Sequence, residues 1–237
     1  MSPDLIVEEL RRNGSKAYAK YNYSYFKCGG GYGSPDDEFC GIKSGPLRRI
    51  VAKHWKDADW CGLETLISHK MHEARMFALL ALAEKYGASD AAGRRKIAGF
   101  YLSHAKYIDN WDLVDLSAHK ILGRHCYDTG NIAALRKLAA SKNLWRERIS
   151  IVATYYFIKR GEFAPTIEFA EKFIGHKHDL IHKAAGWMLR EAGKAGDAGY
   201  RALLAFLDGH ARDMPRTMLR YAIERMPKEL REKYMEK

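Results

Sequence analysis

Apolar residues recur along this chain at intervals of three and four, the spacing that lines one face of an α-helix. Segments 72–86 (HEARMFALLALAEKY), 145–160 (WRERISIVATYYFIKR) and 179–193 (DLIHKAAGWMLREAG) carry the pattern most strongly. Shorter stretches at 133–141 (AALRKLAAS) and 165–174 (PTIEFAEKFI) carry it too. Alternating runs of Val, Ile or Thr do not persist, so strands are not expected. Gly161, Gly175, Gly193 and Pro215 fit helix ends and starts. The pattern predicts an all-α chain of about a dozen helices.

The helical segments also repeat. Trp145, Leu180 and Pro215 stand 35 residues apart, Trp111 precedes Trp145 by 34, and HEARMFALL starts about 38 residues earlier again. A step of roughly 35–40 residues holding two helices has the size of a HEAT-like unit. Stacked units of this kind form a solenoid whose second helices line a concave side. The expectation is one HEAT-like repeat domain over residues 1–237, with a basic concave face. Segment 28–46 (CGGGYGSPDDEFCGIKSGP) interrupts the pattern and reads as a long loop. Its glycines suggest a phosphate cradle, but no GK[ST] follows and no strand precedes, so a nucleotide-binding loop is not assigned.

Composition narrows the partners. There are 40 Lys+Arg against 29 Asp+Glu, a formal net charge of +11, and 47% hydrophobic residues. That much apolar material supports a core and excludes a disordered chain. The cationic surplus is spread along the chain without a basic tail, which suits a folded surface facing a polyanion, or simply aids solubility. No run of roughly 18 apolar residues suggests a membrane span. MSPDLIVEEL lacks a secretory pattern, and the 4 cysteines form no CxxC. A cytoplasmic, monomeric protein without metal or other cofactor is therefore expected.

Candidate chemistry follows from the repeat. Arg148 and Lys183 are 35 residues apart and fall on equivalent faces, with Asp115 nearly in step 33 residues before Arg148. Arg75, Arg216 and Arg220 sit on the corresponding helices to either side. An acid in this basic row gains nothing from phosphate contact, so Asp115 either pairs with Arg148 or takes part in a reaction. Asp109-Asn110-Trp111 offers a helix cap, which sets Trp111 and Asp115 one turn apart on one face. Trp187, one turn beyond Lys183, adds an indole to the same side. Each indole is otherwise read as core.

The motifs NWDLVD (110–115), LWRERISIV (144–152), LIHKAAGWMLRE (180–191) and MPRTMLRYAIER (214–225) resemble the AlkD family of DNA alkylation-repair glycosylases. GIKSGPLR (41–48) and HEARMFALL (72–80) are similar to the family as well, and the resemblance covers about residues 20–235. It implies a HEAT-like solenoid that excises positively charged N3- and N7-alkylated purines from double-stranded DNA, in base excision repair. It also implies a catalytic Asp115 working with Trp111, Arg148 and Trp187. Lys183, Arg190, Arg216, Arg220 and Arg75 would then contact DNA. The rival reading is a non-enzymatic HEAT-like module that binds nucleic acid or a protein.

Other clusters carry less. His178 and His182 share a face beside His176, but no acid or Cys accompanies them as a zinc site requires. His69 and His72 read as a turn. Tyr21, Tyr23, Tyr25 and Phe26 read as a helix packed on its neighbour.

Overall fold

A computed structural model describes residues 2–28, 30 and 32–236. These contain sixteen α-helices, a short 3₁₀ turn and one π-helical turn, with two isolated bridges and no named strand among the described residues. The chain divides into two compact units, residues 1–117 and 118–237.

The first unit holds α1 (Pro3–Arg12), α2 (Lys16–Tyr25), α3 (Ser44–His54), α4 (Trp60–Ile67), α5 (His72–Ala88), α6 (Ala91–Ser103) and α7 (Trp111–Ser117). Side-chain caps mark three of the starts. Ser2, Asp59 and Asp90 accept from the backbone N–H groups of Asp4, Gly62 and Gly93, donors that a helix start leaves unsatisfied. Helix α5 is the centre of this unit and packs on α1, α3, α4, α6 and α7. Ala74, Phe77, Ala78, Leu79, Ala81 and Leu82 are fully buried and surround its axis, as a core helix demands.

The second unit opens with the π turn His119–Gly123 and continues through α8 (Arg124–Thr129), α9 (Ala133–Ala139), α10 (Leu144–Ala153) and α11 (Tyr155–Ile158). It is completed by α12 (Ala164–Lys172), α13 (Asp179–Gly193), α14 (Asp197–His210), α15 (Arg216–Ile223) and α16 (Lys228–Glu236). Helix α13 lies at its centre against α10, α12, α14 and α15. Its Gly186 allows the close crossing of α15, because a Cβ there would run into the Met218 carbonyl oxygen.

The strong periodic segments at 72–86 and 179–193 correspond to α5 and α13. His72, Trp111, Leu144, Asp179 and Arg216 open helices at intervals of 33 to 39 residues. Segment 145–160 is not one helix. Thr154 is fully buried, its Oγ1 donates to the Ile151 carbonyl at 2.7 Å, and its N–H bonds the same oxygen, so the ladder tightens and breaks there. Within 28–46, Gly29 and Gly31 lie outside the described residues. The rest is loop up to Lys43, after which Ser44, Gly45 and Pro46 form the first turn of α3.

Candidate active site

Helix α7 carries the acid and the first indole. Asn110, fully buried, caps it by accepting from the Trp111 N–H at 2.8 Å, and its carbonyl accepts from Val114. Leu113, Val114 and Ser117 turn inward, while Trp111 and Asp115 are half-buried one turn apart. Tyr25 meets the Trp111 ring edge-on at 5.9 Å, and Phe26 lies against it at 5.4 Å. At the far end of α7, the Tyr101 hydroxyl bonds Ser117 Oγ at 3.0 Å, and Ser117 donates to the Leu113 carbonyl at 2.6 Å. Burial pushes the Tyr101 hydroxyl up, and the Asp115 carboxylate pushes it further. A cleft of about 320 Å³ in this unit is lined by Tyr18, Tyr21, Tyr25, Phe26, His72 and Asp112, among others.

Behind the start of α7 lies an ion cluster that the sequence did not disclose. His72 is 1% exposed, with Nδ1 3.4 Å from Asp37 and Nε2 2.8 Å from Asp112. Burial disfavours its charge, but Asp112 and Asp37 more than compensate and raise its pKa to about 9. Burial likewise pushes the Asp37 carboxyl up, yet bonds from His72 and Arg75 hold it below the ordinary carboxylate value. Arg75 Nη2 donates to Asp37 at 2.7 Å and stands 3.3 Å from Asp109, whose carboxyl burial raises.

This cluster bears on two expectations. The Arg75 guanidinium is buried on Asp37 and Asp109, which turns it from solvent. His72 is not a turn residue but opens α5, whereas His69 does form the turn, its Nδ1 accepting from the Met71 N–H at 2.8 Å. One signal in the sequence pointed this way. Apolar residues surround α5 on every side, which leaves no polar face for Arg75 to occupy.

The second unit carries the remaining candidates. Arg148, on α10, is buried at 5% exposure, and its Nη1 donates to the Leu180 carbonyl at 2.6 Å, tying α10 to the start of α13. Trp187, on α13, is half-buried against Tyr155 at 6.1 Å. Lys183 bonds Asp179 at 2.8 Å, one turn away on the same helix. Arg190 is held by Glu191 and Glu224. Arg216 is exposed and bonds the Met235 carbonyl at 2.9 Å, and Arg220 is exposed as well. The expected basic row therefore narrows: Arg75 is withdrawn by burial, Lys183 and Arg190 share their charge with acids, and Arg216 and Arg220 reach solvent.

His176, His178 and His182 serve the turn before α13. His178 Nδ1 caps that helix by accepting from Leu180 N–H at 3.2 Å, and His176 faces Glu147 at 3.2 Å. No grouping of three His, Cys, Asp or Glu suited to a metal is found among the described residues. None of their helices is long and apolar enough to cross a membrane.

The chain belongs to the DNA alkylation repair enzyme family, whose profile matches residues 6–226. Among solved structures it is similar to a protein described as a predicted DNA alkylation repair enzyme from Enterococcus faecalis. That likeness has a TM-score of 0.69 at 14% identity, covering 91% of this chain and 98% of the other, and concerns the fold. No curated protein matches.

Proposed function

We propose that this protein is a DNA glycosylase that releases positively charged N3- and N7-alkylated purines from duplex DNA by hydrolysing the N-glycosidic bond. The observation that carries the reading is the pair on α7: a half-buried carboxylate, Asp115, one turn from a half-buried indole, Trp111. Family membership supports it. The reading takes successive helix pairs as HEAT-like units that present cations to the duplex.

The chemistry suits these groups. An alkylated purine already carries positive charge and leaves readily, so a strong general acid is unnecessary. As its bond breaks, positive charge develops on the deoxyribose, as in other glycoside hydrolyses. A carboxylate at about 4 Å with an effective dielectric near 20 attracts that charge by about 4 kcal/mol. Realised only in the transition state, this is roughly a thousandfold in rate. Asp115 is proposed in that role, with the indoles of Trp111 and Trp187 adding cation–π attraction of about 1–2 kcal/mol when desolvated. Arg148 is proposed to assist from α10. Its burial and its bond to Leu180 suit fixing the start of α13 better than clamping a phosphate. Lys183, Arg216 and Arg220 are proposed to meet the DNA backbone, which positions a duplex without reading its sequence.

The test is to incubate the protein with methylated duplex DNA and measure free 3-methyladenine and 7-methylguanine. Release above the spontaneous rate, slowed about a hundred- to a thousandfold in Asp115→Asn, is expected. DNA binding without base release would replace this reading with that of a non-enzymatic binding module.

A further inference from the structure

The first turn of α5 holds two other segments of the first unit. Glu73 accepts from the backbone N–H groups of Cys40 and Gly41 at 3.0 and 2.9 Å, and His72 N–H bonds the Glu38 carbonyl at 2.8 Å. These bonds pin the glycine-rich segment to α5. The His72 ring packs on both Phe26 and Phe39, 5.0 and 4.9 Å away, which themselves stack at 5.5 Å, with Asp37 at one nitrogen and Asp112 at the other. Arg75 joins Asp37 to Asp109. Asp109 and Asp112 bracket Asn110 and Trp111, so both ends of the turn that starts α7 are tied to cations of α5. The glycine-rich segment passes the same point, since a Cβ on Gly33 would lie 2.9 Å from Asn110 Nδ2.

A group in which His72, Arg75 and Asp37 are buried and Asp109 and Asp112 half-buried is a poor source of stability, because desolvating ions is costly. Apolar side chains would fill the space at less cost. What ions supply instead is direction: each bond fixes a side chain at a defined angle. We propose that His72 and Arg75 are positioning residues, which hold the start of α7 so that Trp111 and Asp115 keep the orientation that bond cleavage requires. This rests on the glycosylase reading of those two residues. Displacing a reacting group by about 1 Å can cost a hundredfold in rate, so a loosened clamp is read in the chemical step rather than in DNA affinity.

His72 gives the clamp a pH signature. It is faced by Asp37 from the glycine-rich segment, Asp112 from α7 and Arg75 from its own helix, with the Cys28 thiol and Asp109 beyond them. With its pKa at about 9, it is charged at neutral pH and donates to both carboxylates. Losing that proton removes one of the two bonds.

The experiment labels the full chain with 5-fluorotryptophan, assigns the Trp111 resonance with Trp111→Phe, and titrates it from pH 6 to 10. Single-turnover base release and duplex Kd are measured on the same samples. The resonance is expected to shift with a midpoint near 9 in the wild type, at lower pH in Asp112→Asn, and not at all in His72→Gln. Asp112→Asn is expected to slow release roughly tenfold at pH 7.5 with Kd within twofold of the wild type. A flat Trp111 resonance in a chain whose helical ellipticity is unchanged would overturn the clamp, as would wild-type release rates in Asp112→Asn. A wild type whose resonance titrates but which releases no base would sink the glycosylase reading and leave the hold of His72 on α7 established.

Discussion

Arg75→Met separates the buried role of Arg75 from the phosphate contact that its place in the sequence suggests. Methionine keeps much of the aliphatic stem and removes only the guanidinium, so the change tests charge rather than volume. The Asp37 side chain is 1% exposed and loses its 2.7 Å partner, which leaves Asp37 and Asp112 sharing His72 and removes the cation beside Asp109. Removing one member of a buried pair costs about 3–5 kcal/mol, most of it the penalty of the charge left behind. For a chain of this length that lowers Tm by roughly 10 °C. Asp37→Asn in the Arg75→Met background should recover part of the loss, because it removes the stranded charge, and a double-mutant cycle on urea or thermal melts measures the coupling. DNA affinity and its salt dependence should stay as in the wild type once binding is measured well below the new Tm. If Arg75→Met instead melted like the wild type, bound DNA more weakly and flattened the salt slope by about one unit, Arg75 would be a phosphate contact.

The remaining predictions concern the site and the pH dependence of the fold. Asp115→Asn should slow base release by about a hundred- to a thousandfold, the loss of about 3–4 kcal/mol of charge stabilisation, while duplex Kd is unchanged or tighter; full excision activity would reject the mechanism. Trp111→Ala or Trp187→Ala should slow release roughly ten- to a hundredfold and keep the helical ellipticity, whereas unfolding would show that the indole serves the core. Arg216→Ala and Arg220→Ala should each weaken binding to every sequence and lower the slope of log K against log salt by about one unit. His72 has a folded pKa raised from 6.5 to about 9, so its contribution to stability is complete below about 6.5 and is lost as pH rises through 9. Asp37, held low, acts in the opposite sense, and its contribution disappears as pH falls through its folded value. Urea midpoints of wild type and His72→Gln should therefore converge above pH 9, and a constant gap up to pH 10 would contradict this.

The helices were legible where pattern and punctuation agree. Segment 179–193 has continuous periodicity and Gly193 at its end, and α13 takes the same bounds. Segment 145–160 has equal periodicity, yet a buried hydroxyl at Thr154 divides it, and a polar residue inside an apolar stretch does not announce whether it will bond its own backbone. In the candidate site, the cap before Trp111 and the turn from Trp111 to Asp115 could be read because both are local. The clamp could not, because Asp37 lies 38 residues before Arg75 in a stretch whose glycines suggest an exposed loop. It is buried against His72 and Arg75 of α5. The burial of Arg75 escapes the sequence for the same reason. Repeat spacing assigns a residue to a face, but at the first turn of a helix surrounded by others that face can already be covered.

The length of α7 explains why so much is arranged around it. Helix α7 has seven residues and runs on through helical backbone at Ala118 into the π turn, so its open end is its start, and the orientation there comes from what surrounds it. Leu113 and Val114 anchor its inner side, and the Tyr101–Ser117 bond fixes its end. At its start Trp111 packs on Tyr25 and Phe26, while Asp109, Asn110 and Asp112 present polar groups. There the ion cluster takes over, with Asn110 closing the first turn. Electrostatic catalysis depends on a charge already in place when the transition state forms, because reorientation at that moment would use up the gain. A carboxylate on a fraying two-turn helix would lose most of the attraction worked out above. A lesion that is itself a good leaving group asks little of the enzyme beyond that one well-held charge. If the protein is the glycosylase proposed above, the costly burial of His72, Arg75 and Asp37 is offset in the rate rather than in the stability of the fold.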